Sequence, residues 1–327
     1  MVEETFEQID AGLYRVQVPL PKNPLKATNS YIIKAERRNL IIDTGMNREE
    51  CRSVILKALE ELEIALENTD IFVSHLHVDH LGLADDLSRG KSLVYFNRPD
   101  ARVLRYEGLW VLASKLAKRH GFPGELVEKA IDSHPGQRFS PKEPIDFTMV
   151  DDNNVLDYGN YKLQCISTPG HTEGHTCLFD PDRKYFFSGD HILGDITPNI
   201  STWRDDGNPL GEYFKSLDRV AEMPVEFVLP GHRSLFSNCR GRIDQLKNHH
   251  RQRLKEVLEI LKASGPCSAF TVASQMSWDL LAASWEDFPL MQKWFASGEA
   301  LAHIRYLEVE GKVKREEADN AIYFSLA

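Results

Sequence analysis

Short apolar runs separated by turn residues fill positions 5–45, the pattern of consecutive strands. Leu13-Tyr-Arg-Val-Gln-Val predicts one strand; Ser30-Tyr-Ile-Ile-Lys and Asn39-Leu-Ile-Ile-Asp predict two more, the last closed by Asp43-Thr-Gly45. Over residues 48–66 the apolar positions Val54, Ile55, Leu59, Leu62 and Leu66 fall close to helical spacing. Asp70-Ile-Phe-Val-Ser reads as a short buried strand that runs into His75-Leu-His-Val-Asp-His80, after which helical spacing resumes to Leu87. Strands return at Asn154-Val-Leu, Tyr161-Lys-Leu-Gln-Cys-Ile-Ser, Thr176-Cys-Leu-Phe, Lys184-Tyr-Phe-Phe-Ser and Glu226-Phe-Val-Leu. A helix over 210–221 precedes the last of them. Strands interleaved with helices imply an α/β layered core.

Two stretches depart from that rhythm. Residues 98–145 carry Leu104, Leu109, Val111, Leu112, Leu116, Leu126 and Ile131 in helical patterns, broken by Gly121-Phe-Pro-Gly124 and His134-Pro-Gly136. That predicts two or three helices inserted between strands. From about 240 the pattern gives a long amphipathic helix over 242–264, a shorter one over 270–276 and a third from Gly298, ending at Gly311. Lys312-Val-Lys-Arg and Ala321-Ile-Tyr-Phe-Ser follow as two strands joined by polar residues. Helix, helix, helix, hairpin outlines a small winged-helix-like α+β domain over 241–327, behind a larger domain over 1–240.

Composition narrows the function. The 327 residues carry 39 Lys and Arg against 49 Asp and Glu, a net charge of −10 that argues against nucleic acid and anionic membrane as partners. Residues 241–327 alone hold 11 basic and 12 acidic side chains, without the basic excess that phosphate neutralisation requires. No stretch approaches the ~20 apolar residues of a membrane helix. The start, Met1-Val-Glu-Glu-Thr-Phe-Glu, is acidic where a signal peptide is basic and then apolar, so a cytoplasmic location is expected. Five cysteines with no CxxC pair argue against a disulfide framework or a thiolate zinc cluster.

Histidine is the informative residue. Four segments with candidate metal ligands each follow a predicted strand: His75-Leu-His-Val-Asp-His80, Thr168-Pro-Gly-His171, Ser188-Gly-Asp190 and Leu229-Pro-Gly-His232. Strand ends are rigid supports, and the turns after them let side chains converge. Alternate residues of an extended segment point the same way, so His75 and His77 can reach one ion while Asp79 and His80 turn to a second. His171 completes a three-histidine site, His232 joins Asp79 and His80, and the two oxygens of Asp190 suit it to bridge. Imidazole with carboxylate suits zinc first, with iron or manganese as alternatives. Isolated histidines are more often surface or core residues, and His120, His134, His249, His250 and His303 belong there.

His75-x-His-x-Asp-His80 with His171, Asp190 and His232 resembles the metallo-β-lactamase superfamily. Thr168-Pro-Gly-His-Thr-Glu-Gly-His175 and Asp43-Thr-Gly45 are most similar to its glyoxalase-II-type hydrolases. The C-terminal outline, with Ile304-Arg-Tyr-Leu-x-x-x-Gly-Lys-Val, resembles the β-lactamase-like protein 2 type. The resemblance implies a four-layer αβ/βα sandwich with two divalent metals at one edge of the sheets. His77 stands where the redox-active diiron branch has Glu, and only 41 residues separate Asp190 from His232, too few for the large inserted domain of one nuclease branch.

The chemistry expected is hydrolysis by a metal-bridging hydroxide attacking the carbonyl of a thioester, ester or lactone, with Asp79 aiming the hydroxide and Asp190 bridging. A small-molecule acyl substrate is the expected partner. Ligating imidazoles need fixed acceptors for their other N–H; Asp43 is the candidate acceptor and His175 a second outer group. Gly170 and Gly231 precede ligands and suit backbone geometry that other residues resist. A thiolate leaves with little proton assistance, which favours thioesters over amides. Trp110, Tyr106, Leu112 and Phe122 offer an apolar wall for an acyl chain, or simply pack the insertion onto the core. The competing readings are a metal-dependent nuclease, a mononuclear-iron sulfur dioxygenase, and an assembly role in which the tail makes a homodimer.

Overall fold

Period-2 alternation along the strands assigns each side chain to a layer. This computed structural model describes residues 5–21, 23–202, 205–278 and 284–327. Met1–Glu4 of the acidic start read above lie outside the described residues. The first sheet has seven strands in chain order: β1 (Glu7–Asp10), β2 (Leu13–Pro19), β3 (Ala27–Ile33), β4 (Asn39–Ile42), β5 (Thr69–Phe72), β6 (Val94–Asn97) and β7 (Phe147–Val150). β1 to β4 pair antiparallel and β4 to β7 pair parallel. The parallel steps cross over through helices α1 (Glu49–Glu61), α2 (Val78–Leu81) and α3 (Ala84–Leu87), and then α4 (Arg98–Arg105), α5 (Leu109–Arg119), α6 (Gly124–Ser133) and α7 (Pro135–Arg138).

The second sheet holds β8 (Val155–Tyr158), β9 (Tyr161–Ser167), β10 (Thr176–Asp180), β11 (Tyr185–Gly189) and β12 (Phe227–Pro230), in the order β12-β11-β10-β9-β8. All its pairs are antiparallel except β11 with β12, which are linked through α8 (Pro209–Ala221). Tyr31, Ile33, Leu40 and Ile42 of the first sheet meet Leu163, Cys165, Leu178 and Phe187 of the second in one core. The intervening residues face outward: Ile32 and Ile41 pack under α1, and Ile166, Cys177, Phe179 and Phe186 pack under α8. Helix, sheet, sheet, helix gives the four-layer αβ/βα sandwich.

The rest of the chain forms α9 (Cys239–Ser264), α10 (Ala269–Gln275), α11 (Leu290–Val309) and the hairpin β13 (Val313–Ala318) with β14 (Ala321–Leu326). Asp319 and Asn320 take left-handed torsions, φ 50° and 63°, as a two-residue hairpin loop requires. Residues of α9, α10, α11 and β14 share one apolar core with α8 and the outer face of the second sheet. The inserted helices α5 and α6 and the turn between them pack Ala113, Phe122, Val127 and Ala130 around Trp294 of α11. No helix among the described residues is long and apolar enough to cross a membrane.

Several boundaries differ from the expected ones for visible reasons. α1 stops at Glu61 instead of running to 66, because Glu63 turns left-handed at φ 55°. α11 starts at Leu290, well before Gly298; the glycine is interior, where Ser201 comes so close that a Cβ would lie 3.0 Å from its own. Strands β6 and β7, each four residues long, are not among the strands the sequence predicts.

Candidate metal centre

Hydrogen-bond logic settles the orientation of four imidazoles. Asp43, at the end of β4 with φ 61°, accepts the backbone N–H of Ser74 at 2.8 Å and its hydroxyl at 2.9 Å. The oxygen that accepts the Ser74 hydroxyl, Oδ2, also accepts the Nδ1–H of His80 at 2.8 Å. Having donated to Asp43, the Ser74 hydroxyl accepts the Nδ1–H of His75 at 2.9 Å. His171 donates Nδ1–H to the carbonyl of Asn199 at 2.7 Å, and His232 donates to that of Ala27 at 2.8 Å. Each ring thus commits Nδ1–H to an outer acceptor and turns Nε2 to the interior.

Those nitrogens converge on two sets of donors. His77 Nδ1 lies 3.0 Å from His75 Nε2 and 2.9 Å from His171 Nε2. His232 Nε2 lies 3.3 Å from Asp79 Oδ2, and His80 Nε2 lies 3.9 Å from the same oxygen. Asp190 turns Oδ2 to His171 at 3.6 Å and Oδ1 to His80 and His232, each at 3.5 Å. All seven residues expected to gather therefore do gather, each triad within 4.8 Å.

The donor set fits cations. Tetrahedral coordination at about 2.0–2.1 Å sets donor atoms roughly 3.3 Å apart, and the observed separations bracket that value. His80 Nε2, His232 Nε2 and Asp190 Oδ1 are buried without a hydrogen-bond partner, a costly state that a cation among them relieves. The field agrees: burial depresses His232, yet Asp190 and Asp79 overcome it and carry the ring up to about 10. Burial likewise opposes ionisation of Asp79, and His80 with His232 hold it well below the usual carboxylate range.

Supporting groups surround the donors. His175 accepts the backbone N–H of Asp190 on Nε2 at 3.1 Å and gives Nδ1–H to Thr168 at 2.9 Å. Gly170 has φ 142°, and a Cβ there would meet the backbone of Tyr213 at 2.7 Å. Gly231 is needed for space instead of torsion: its Cβ would lie 2.7 Å from both Asp190 Oδ1 and a carbon of the His80 ring.

Sequence reasoning misses Asp100. Fully buried at the start of α4, its carboxylate accepts N–H groups of Leu76 (3.0 Å) and Gly174 (2.8 Å) and the hydroxyl of Thr172 (2.8 Å). It ties the His75–His80 turn to the His171 turn, and burial pushes it up to about 6. Only the Asn97-Arg-Pro-Asp100 helix start, with Asn97 capping, could have flagged it. Ser74, by sequence only the last residue of a short strand, accepts the Nδ1–H of His75. Asn199 and the buried His191 carry no sequence signal of a role here. Of the proposed acyl wall, Phe122 is core against Trp294, whereas Tyr106 is 54% exposed.

Residues 23–232 match the Metallo-beta-lactamase superfamily, almost two thirds of the chain. The chain belongs to that superfamily. Residues 254–327 match its Metallo-beta-lactamase-like C-terminal domain, so the two-part resemblance read from the motifs holds, and the chain is a metallo-hydrolase of that superfamily. It is 25% identical to a Beta-lactamase-like protein 2 homolog of Caenorhabditis elegans, over 84% of this chain and 79% of that one. It is 27% identical to an Atrochrysone carboxyl ACP thioesterase of Emericella nidulans, over 77% of this chain and 65% of the relative's length. The crystal structure of a metallo-beta-lactamase family protein from Thermus thermophilus aligns with TM-score 0.81 and 28% identity, covering 97% of this chain and 99% of that one.

Proposed function

We propose that the chain hydrolyses a carboxylic thioester, ester or lactone at a centre of two divalent cations. His75, His77 and His171 would hold one, Asp79, His80 and His232 the other, and Asp190 would give one oxygen to each. When bound, such a pair acidifies water and polarises a carbonyl. The chain's own groups do the rest. Asp79 accepts the hydrogen bond that aims the attacking water, and Asp43 keeps His75 and His80 turned with Nε2 inward. The carrying observation is Asp190, whose two carboxylate oxygens face two separate donor sets.

Among the described residues, the titratable side chains of the two donor sets would all be engaged as lone-pair donors, which leaves none of them to protonate a leaving amine. That supports leaving groups that depart as weakly basic anions, thiolates first, in keeping with a relative named a thioesterase. Zinc is the metal of choice for this nitrogen and oxygen set. The test is metal analysis of the purified protein together with turnover of acyl-CoA thioesters, lactones and bis(p-nitrophenyl) phosphate. Two divalent ions per chain and thioester or ester turnover, both lost in Asp190→Asn and His77→Ala, are expected. Turnover of the phosphodiester alone would select a nuclease, and a single iron with oxygen uptake on a persulfide would select a dioxygenase.

A further inference from the structure

The stretch from Asp190 to Ser201 links one donor of the centre to the acceptor of another, and it is held from outside by the C-terminal helices. Arg242 of α9 donates Nε–H to the carbonyl of Leu193 at 2.7 Å and a terminal N–H to that of Ile196 at 2.8 Å. Ile192 and Ile200 are fully buried in the core that α9 and α11 help to build. At the far end, Asn199 uses both of its polar ends. Its backbone carbonyl takes the Nδ1–H of His171, and its side-chain amide donates to Glu299 Oε2 of α11 at 3.0 Å. Next to it, Gly298 lets Ser201 touch the helix backbone.

Glu299 is an expensive residue to place there. Its side chain is only 12% exposed, its cationic neighbour Arg253 stands 3.8 Å away, and burial pushes its carboxyl up to about 7. A buried carboxylate costs stability unless it is paired and hydrogen-bonded, and among the described residues its side chain takes a direct hydrogen bond from Asn199. An apolar residue would pack on α11 without that cost. The stretch of α11 carrying it is fixed in turn, since the Glu299 carbonyl accepts Nδ1–H of His303, whose Nε2 meets His250 of α9 at 3.1 Å.

We propose that Glu299 is a positioning residue for the metal centre, acting through Asn199 on His171, so that the C-terminal domain completes the three-histidine half of the site. The inference rests on the reading of His75, His77 and His171 as ligands. Outer partners of ligating histidines typically change metal affinity by about 10–100-fold, and that range is the expected effect.

The experiment titrates zinc or cobalt, against a competing chelator, into metal-free full-length wild type, Glu299→Ala, Glu299→Gln, Asn199→Ala and the double alanine variant. Thermal midpoints of the metal-free proteins and hydrogen exchange over 191–201 are recorded in parallel. Glu299→Ala and Asn199→Ala should each weaken one metal equivalent about 10-fold or more while leaving the other near wild type. The double variant should lose no more than either single one. Glu299→Gln keeps an oxygen acceptor and should restore affinity, and exchange over 191–201 should quicken only in the alanine variants. Wild-type affinity in both single alanine variants would overturn the inference. Equal weakening of both equivalents in step with a lower thermal midpoint would also overturn it, because a general structural role behaves that way. A wild-type chain that binds no metal at all would instead remove the centre itself, and the two failures are told apart by that control.

Discussion

One carboxylate at the end of β4 controls the tautomers of two donors just beyond β5. Asp43 accepts hydrogen bonds from Ser74 and His80, and the Ser74 hydroxyl passes the constraint to His75. Asp43→Ala should therefore free both rings to flip or protonate, and lower metal affinity by about 10–100-fold. Chelator competition on the variant measures this, and unchanged affinity would show that the rings are held by packing alone. The seven donors and Asp43 are legible because their residue types and strand-end positions carry the chemistry. Asp100 is not, since a buried acid that binds backbone N–H groups leaves no spacing signal. Asn199 is not either, because the atom that matters there is a backbone carbonyl.

At the scale of elements, long periodic segments such as α8, α9 and β9 are readable, whereas β1, β6 and β7 are too short and too uniformly buried or exposed to show a period. The helical spacing after His80 is real but is split between α2 and α3, the break falling at Leu83 with φ −99° and ψ 5°. The insertion offers a pH test remote from the metal donors. His134 begins α7 by accepting the N–H of Gly136 on Nδ1 at 3.0 Å, which only a neutral ring can do. Burial lowers it from 6.5 to about 4, so the folded form disfavours its protonation. Its contribution is present above pH 6.5 and is lost as pH falls from 6.5 toward 4. The gap of about 2.5 units bounds that loss at ~3 kcal/mol. Asn caps without titrating, so His134→Asn should flatten this part of the stability–pH curve in denaturant melts. An unaltered curve would contradict the assignment.

For the molecule as a whole, the sandwich and its two-part order follow from alternating strands, helices and strand-end motifs, but the joint between the parts does not. No pattern in one chain announces that Trp294 closes the core of an insertion far earlier in the sequence, or that α9 and α11 brace the loop leaving Asp190. Such contacts depend on which faces meet in space, and only the folded arrangement reveals them. The proposed chemistry depends throughout on nitrogen and oxygen lone pairs from four separate turns meeting at a pair of positive charges. The most direct measurement is anomalous diffraction from crystals of the zinc-loaded protein. Two peaks are predicted, one among residues 75, 77 and 171 and one among 79, 80 and 232, with the carboxylate of Asp190 between them. A single peak away from Asp190, or none within that cluster, would contradict it.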